Sequence, residues 1–434
     1  MSWNELAILY GLVLVGCLVG GVYIGAAMGI AGIVGVGLVF GTAQWQSLGD
    51  IVWNTSTNFS LVAIPMFILM GEIVLQGGIA ARFYTGLAPL FRRVPGGLAQ
   101  TNIAGCAVFS AVCGSSVATA MTVGSIALKE MRRRGYKDGL TLGTLAAGGG
   151  LGILIPPSIP MIVYASMTHE SVIDLFMAGI IPGLLLASLF SVYVGVRASL
   201  DRSLVPAQET ELGGAAGGGS LVRDALPVVL LVGGIILGMY AGMVTPTEAS
   251  AFGVLLTILI AAYYGSLTFA ALQAALTNTI ISSAVIMFIT ICAQILQYGI
   301  VVTGFGKEVS AYLVSINLSP FVFFCILLVI YTILGMVMDG LSMMLVTVPL
   351  IYAPMIAMGF NGVWLGILIV LMIELGAITP PVGLNLFAIQ SISPQTKLAT
   401  IARSSLPYCF IIVAFAFLTY AFPAIVTWLP GTLR

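Results

Sequence analysis

The sequence predicts an all-α, polytopic membrane protein of about ten to twelve transmembrane helices, with two re-entrant helical hairpins in repeats of inverted topology. Three observations carry this. Of the 434 residues, 60% are hydrophobic and only 7% charged, with a mean hydropathy of +1.14, against about 25% charged residues in a soluble protein. Two apolar runs carry a Gly-x-x-x-Pro-Pro interruption, at Gly152–Pro157 and Gly376–Pro381. The Lys and Arg residues then fix which ends of the runs are cytoplasmic.

The two interruptions lie 224 residues apart (152 to 376), and the same offset recovers more. Cys113-Gly-Ser-Ser116 maps onto Val337-Met-Asp-Gly340, another small, polar break in an apolar run, and Asn54-Thr55 maps onto Asn278-Thr279. After a three-residue deletion, Met66-Phe67 and Leu75-Gln76 pair with Met287-Phe288 and Leu296-Gln297. Several matches in order at near-constant spacing indicate a duplicated unit. Paired, interrupted hydrophobic segments in two halves of a chain point to the central site of a secondary transporter.

Spans of roughly 20 apolar residues fall near 5–25, 28–47, 51–75, 138–166, 171–197, 222–243, 246–264, 278–303, 362–390 and 405–428. The first lacks a basic n-region and reads as a span, not a cleavable leader. Arg82, Arg92 and Arg93 precede the segment 98–128, and Lys129, Arg132, Arg133, Arg134 and Lys137 follow it. A segment with both ends cytoplasmic is a re-entrant hairpin, and Gly114-Ser-Ser116 sits at its middle. The next span, 138–166, is broken by Pro156-Pro157, because proline removes a backbone donor and clashes with the preceding turn. The loop after it holds His169, Glu170 and Asp174 without Lys or Arg, so it is expected outside.

The connection near 198–223 carries Arg197, Arg202, Arg223 and the run Gly213-Gly-Ala-Ala-Gly-Gly-Gly219. It reads as a flexible cytoplasmic linker at 213–221 between halves at 1–212 and 222–434. Five spans then separate the interruption at 115 from that at 339. An odd number makes the second hairpin, 318–356, enter from the opposite face, before the second broken span at 362–390. Its flanks agree, with only Lys307 before it and no basic residue at 355–361. Lys397 and Arg403 return that end to the cytoplasm, and both termini come out external.

Broken helices in hydrocarbon are tolerated where freed backbone groups line a polar cavity. Helix N-termini there attract anions, and freed carbonyls attract Na⁺. For an anionic substrate the candidates are Ser115, Ser116, Thr119 and Asn385. For Na⁺ they are Ser115, Ser116, Gly152, Ile155, Pro157, Asp339, Gly376, Thr379 and Gly383. Such hydroxyls also serve as bonds between helices in any bundle. Asp339 is the sharpest single residue, an ionisable group deep in an apolar run, and a cap on the second hairpin's tip would coexist with ion binding. Glu72, Glu248 and Glu374 are further carboxylates near apolar runs. Glu248, in Thr245-Pro-Thr-Glu248, reads as a helix start; Glu374, one turn before the second break, is placed to bond or orient it.

Other chemistry is absent from the pattern. His169 is the only histidine and falls in a loop. Cys17, Cys106, Cys113, Cys292, Cys325 and Cys409 lie in apolar segments without metal-ligand spacing. Gly148-Gly-Gly150 lacks the Lys and Ser/Thr of a phosphate loop. An intramembrane enzyme and an ATP-driven pump are therefore disfavoured, and zero net charge gives no footprint for nucleic acid.

Gly114-Ser-Ser-Val-Ala-Thr119, Met131-Arg-Arg-Arg-Gly-Tyr136, Gly152-Ile-Leu-Ile-Pro-Pro-Ser158, Thr245-Pro-Thr-Glu-Ala249, Met338-Asp-Gly340 and Thr379-Pro-Pro-Val-Gly383 together resemble the large membrane subunit of tripartite ATP-independent periplasmic (TRAP) transporters, over essentially the whole chain. The resemblance implies sodium-coupled uptake of small organic acids across the inner membrane. It further implies delivery by a periplasmic substrate-binding protein and an elevator-like movement of a domain holding both hairpins. By motif it assigns Ser115, Ser116, Gly152, Ile155 and Pro157 to one sodium ion, and Asp339, Gly376 and Thr379 to a second. It also implies a small four-helix membrane subunit, and a chain of this length leaves that partner separate. Two other readings stay open: a self-sufficient sodium/dicarboxylate elevator symporter, and a passive channel, since broken helices and re-entrant loops also build pores.

Overall fold

The computed structural model describes residues 3–206, 221–315 and 318–432, which are all-helical with no strand among them. The linker expected at 213–221 lies outside the described residues except for Leu221, which opens a short helical turn to Ala225. In the first half the helices are α1 (Trp3–Val19), α2 (Ile24–Phe40), α3 (Trp45–Ser56), α4 (Ala63–Gln76), α5 (Ile79–Phe91), α6 (Leu98–Cys113), α7 (Ser116–Arg133), α8 (Asp138–Leu154), α9 (Ile159–Thr168) and α10 (Val172–Leu200). In the second they are α11 (Leu226–Tyr240), α12 (Pro246–Tyr263), α13 (Phe269–Val302), α14 (Phe305–Ser315), α15 (Pro320–Gly335), α16 (Gly340–Ala357), α17 (Gly362–Ile378), α18 (Leu384–Ile392), α19 (Leu398–Ala421) and α20 (Ala424–Thr432).

Nine helical runs among the described residues are long and apolar enough to cross a membrane. One of them, α16, is a hairpin arm. With it set apart, and with α1 and the broken pair α17–α18 added, the crossings match the ten spans of the sequence reading.

The duplication is visible residue by residue in the re-entrant and broken elements. Helix α7 starts at 116 and α16 at 340; α8 and α17 span 138–154 and 362–378; α9 and α18 both end at the same 224-residue offset, 168 and 392. Cis peptide bonds occur at Pro156–Pro157 and Pro380–Pro381, again at that offset. Five crossings separate the two hairpins, so the repeats are inverted.

Each hairpin turns on a local signal. Gly114 takes a left-handed conformation (φ 59°), which glycine adopts without the Cβ penalty, and Ser115 caps α7 by accepting from the Ala118 amide. Asp339 does the same for α16, accepting from the Ser342 amide at 3.1 Å. Each broken helix is held apart by its Pro-Pro pair and capped within it: the Ser158 hydroxyl donates to the Ile153 carbonyl at 2.6 Å, and Thr379 donates to the Leu375 carbonyl at 2.6 Å.

Packing divides the helices into two groups. Helices α2, α4, α12 and α13 pack on one another, with α1 against α2 and α11 against α12, and form a scaffold. The hairpins and broken helices pack mainly among themselves and with α10 and α19. The α8–α9 pair is almost wholly enclosed by protein, whereas α11, α12 and α13 leave most of their apolar surface outward, as lipid contact allows. The breaks are therefore central.

Three expectations need correction. The span expected at 51–75 is two elements, α3 and α4, divided at Thr57-Asn58, where the Asn58 side chain accepts from the Ser60 amide. Its counterpart in the second half, α13, continues unbroken for 34 residues, well beyond the 278–303 expected. The basic stretch before the first hairpin contains the amphipathic helix α5, and α14 occupies the equivalent place before the second. In both, polar residues interrupt the apolar run without interrupting the helix.

Candidate functional site

The tips of the two hairpins and the two breaks meet at one cavity of about 300 Å³. From the first hairpin come Cys113, Gly114, Ser115, Ser116, Val117 and Ala118; from the second, Asp339, Gly340 and Leu341. The broken helices contribute Ile153, Ile159 and Pro160 on one side and Ile373, Ala377, Leu384 and Asn385 on the other. The fourth wall belongs to the scaffold: Ile68, Gly71, Glu72 and Leu75 of α4, with Ser282 and Ile286 of α13.

Four of the residues predicted from sequence thus face one space: Ser115, Ser116, Asp339 and Asn385. The N-termini of α7, α16, α9 and α18 all converge there, and their dipoles favour an anion, whereas the carboxylates of Asp339, which caps α16, and of Glu72 in the same lining oppose one. Asn385 is fully buried. Its Nδ2 donates to Ser116 Oγ at 2.6 Å and to the Ala146 carbonyl at 3.3 Å, joining the first hairpin to the second broken helix. Among the lining residues there is no Lys, Arg or His.

The remaining candidates lie behind this surface. Thr119 is buried and donates to the Ser115 carbonyl at 2.8 Å. A side chain at Gly152 would press on Ser110, the Ser115 carbonyl and the Thr119 hydroxyl, so these two oxygens lie close against the broken helix. Ile155 follows the last residue of α8 in extended conformation, two residues before Pro157. In the second repeat Gly376 crosses the backbone of Gly335, whose Cα lies 2.6 Å from where a Cβ on Gly376 would stand. Thr379 ends α17, and Gly383, whose added Cβ would meet the Ala377 carbonyl at 2.5 Å, begins α18. Neither Thr379 nor Gly383 lines the cavity.

Glu374 turns away from the cavity. It is fully buried, and neither carboxyl oxygen has a hydrogen-bond partner among the described residues; the side chain lies against Gly150 of α8. Glu248 completes a capping box with Thr245 at the start of α12. The scaffold wall is the part sequence reasoning missed. Glu72 sits in it, accepting from Asn278 Nδ2 at 2.9 Å. The sequence signals for it were the repeat pairing of α4 with α13 through Met66-Phe67 and Leu75-Gln76, and Glu72 as a carboxylate near an apolar run, neither of which placed it at the cavity.

The two repeats are also tied at both ends of the bundle. At the base of α7, Arg132 makes a bidentate pair with Asp138 (both bonds 2.9 Å). Its Nη2 reaches Ser393 Oγ and Thr396 Oγ1, each at 2.8 Å, just past the end of α18. At the opposite end, Tyr352 of α16 donates to Glu170 at 2.9 Å, just past the end of α9, and Tyr164 of α9 donates to the Gly362 carbonyl at 2.7 Å.

The chain matches the family model described as "Tripartite ATP-independent periplasmic transporter, DctM component" over residues 12–425. It is 32% identical over 408 residues to the C4-dicarboxylate TRAP transporter large permease protein of Pseudomonas aeruginosa, covering 94% of each chain. It is also 32% identical over 410 residues to the ectoine TRAP transporter large permease protein of Halomonas elongata, covering 92% of this chain and 93% of that one. The fold is similar to that of the YdaH transporter of Alcanivorax borkumensis, with a TM-score of 0.63 at 14% identity over 88% of this chain and 90% of that one. Inverted repeats, paired hairpin tips and a sequence match over nearly the full length agree: the chain belongs to the DctM component family of tripartite ATP-independent periplasmic transporters, as a large, multi-pass inner-membrane permease subunit.

Proposed function

We propose that this subunit translocates small organic acids by sodium-coupled symport, receiving them from a periplasmic substrate-binding protein and working with a separate small four-helix membrane subunit. The observation that carries the reading is the meeting of Ser115 and Asp339. These two N-caps, equivalent under the repeat, both face one cavity with both helix breaks. Four helix N-termini without a basic side chain suit a carboxylate whose charge is met by dipoles and by co-bound Na⁺. The Na⁺ ions are cargo; Ser115, Ser116, Gly152, Ile155 and Pro157 would hold one, and Asp339, Gly376, Thr379 and Gly383 the other. Ser116, Asn385 and Thr119 remain the residues proposed to hold the acid. Relatives of equal identity carry names for a C4-dicarboxylate and for ectoine, so a carboxylate is the shared feature, and C4-dicarboxylate- or sialic-acid-like acids are the class to test.

Transport would proceed as an elevator. The hairpins, the broken helices, α10 and α19 move together, tied at both ends by Arg132 and Glu170, against the scaffold of α1, α2, α4 and α11–α13. With Arg-rich ends cytoplasmic, the scaffold wall of the cavity is the cytoplasmic half of α4. Helix α16 meanwhile packs along α13, and α7 makes no comparable contact with α4 among the described residues. Both features support reading the structure as the inward-facing state of such a carrier.

Uptake of labelled organic acids into proteoliposomes holding this subunit and its small partner tests the reading. Accumulation that needs both an inward sodium gradient and the cognate binding protein supports it. Accumulation on sodium alone would replace it with a self-sufficient symporter. Sodium-independent conductance without accumulation would replace it with a channel.

A further inference from the structure

The last turn of α9 is docked on the scaffold by two glutamines of α13. Gln294 Nε2 donates to the Ser166 carbonyl at 3.3 Å, and Gln297 Nε2 to the Met167 carbonyl at 3.1 Å. Residues three apart on a helix share a face, and the final carbonyls of a helix have no partner within it. These bonds therefore satisfy groups that would otherwise be left open in an apolar setting. They join the body that holds the hairpins to the scaffold, near the external end.

The repeat supplies a second copy of this contact whose parts are apart. At the 224-residue offset of the broken helices, Ser166 and Met167 correspond to Gln390 and Ser391 in the last turn of α18. In the scaffold, after the three-residue deletion, Gln297 corresponds to Gln76 at the cytoplasmic end of α4. Gln76 is exposed, and among the described residues its amide donates only to Glu72, at 3.3 Å, one turn back. The stretch of α4 before it, Ile68 to Leu75, is a wall of the cavity, whereas the equivalent stretch of α13 leads to the α9 dock. The dock on α13 is made, and Gln76 of α4 bonds within its own helix instead.

We infer that Gln76 is the positioning residue of the opposite-facing carrier: its amide takes the Ser391 carbonyl at the end of α18 when Gln297 has released Met167. The inference rests on the elevator reading above. Exchange of the Gln297 dock for the Gln76 dock replaces one side-chain hydrogen bond by another, so the two end states differ in this contact only by the Gln294 bond. Neither state is then strongly preferred, as a carrier that must visit both requires. Gln294 has no counterpart of its kind, since Ile73 stands at its place, and the present state keeps one additional bond.

Cys113 lines the cavity and reports which side it opens to. The test measures the rate at which a membrane-impermeant thiol reagent modifies Cys113 from each face of oriented vesicles holding the full chain and its small partner. Cys113→Ser is the control for the other thiols. Gln297→Ala is expected to raise external over cytoplasmic labelling by roughly three- to tenfold, the worth of one neutral hydrogen bond. Gln76→Ala is expected to shift the ratio the other way by a similar factor, and the double variant to return near the starting ratio. A general loss of packing would not give opposite shifts that cancel. If Cys113 is labelled from both faces yet Gln76→Ala leaves the ratio unchanged, the dock is wrong and the elevator stands. If labelling comes from one face only in every variant, with and without sodium and substrate, the elevator reading and the dock fall together.

Discussion

Ser116 and Asn385, 269 residues apart in sequence, share a buried hydrogen bond of 2.6 Å at the point where the first hairpin meets the second broken helix. Both side chains face the cavity, so a substrate held there would contact the bond that joins the repeats. Replacing Asn385 by Ala removes a neutral bond worth about 1 kcal/mol, and it also leaves the Ser116 hydroxyl and the Ala146 carbonyl without that partner. We expect KM for the transported acid to rise by roughly five- to tenfold, together with a fall in thermal stability of about 1–3 kcal/mol from the buried groups left unpaired. Concentration-dependent uptake beside a melting curve checks this. An unchanged KM would remove Asn385 from the substrate site.

Asp339 separates capping from charge by a single substitution. Asn and Asp are nearly equal as N-caps, so Asp339→Asn keeps the bond to the Ser342 amide and removes the negative charge from the cavity. The expected outcome is a normally folded protein whose uptake needs several-fold more sodium for half-maximal rate. Asp339→Ala loses the cap as well, and should in addition destabilise by about 1 kcal/mol. A sodium titration identical to that of the unaltered protein in Asp339→Asn would take Asp339 off the ion site.

How much of this was legible in the sequence follows from what kind of signal each element leaves. Pro156-Pro157 and Pro380-Pro381 admit no continuous helix, so both broken spans could be placed within two or three residues of their ends. The first hairpin was legible from charge, because Arg93 and Lys129 sit on either side of one apolar segment, and the second from the odd number of spans between the two interruptions. The scaffold was less so. Thr57-Asn58 divides α3 from α4 through one side-chain cap, which barely alters hydropathy. Helices α5 and α14 were hidden because Arg82, Lys307 and Glu308 resemble loop composition, yet on an amphipathic helix they occupy one face. Glu72 and Ser282 were not singled out as cavity residues because α4 and α13 run through without interruption, and only tertiary packing turns them toward the hairpin tips.

Arg132 and Arg133 are neighbours with different work. Arg132 binds Asp138 in bidentate fashion and reaches the loop after α18, whereas Arg133 is largely exposed and, among the described residues, pairs only with Glu130, on its own helix. Arg132→Ala should therefore loosen the body that carries both hairpins, lowering the transport rate and the melting temperature together. Arg133→Ala should leave both near their starting values. Arg132→Lys should recover little, because an ammonium lacks the planar fork that meets Asp138. Equal effects from the two alanine variants would mean that the charge of the cytoplasmic face matters, and the tie between repeats does not.

Gly335 and Gly376 set how closely the second hairpin approaches the second broken helix. A Cβ on Gly376 would stand 2.6 Å from the Gly335 Cα, with the Tyr331 carbonyl at 3.4 Å, and backbone atoms cannot step aside as a flexible side chain can. Close backbone approach through small residues is the usual means of packing helices in lipid, and overpacking typically costs about 1–3 kcal/mol. The cost here would be expressed beside the tip of the second hairpin, where Asp339 must face the cavity. Gly376→Ala is expected to lower the melting temperature and to abolish sodium-driven uptake. Gly233→Ala, at a glycine of α11 with open space around its Cα, should change neither. Retained uptake in Gly376→Ala would show that the crossing can widen by a methyl group without disturbing the ion site, and the close approach would then be packing alone.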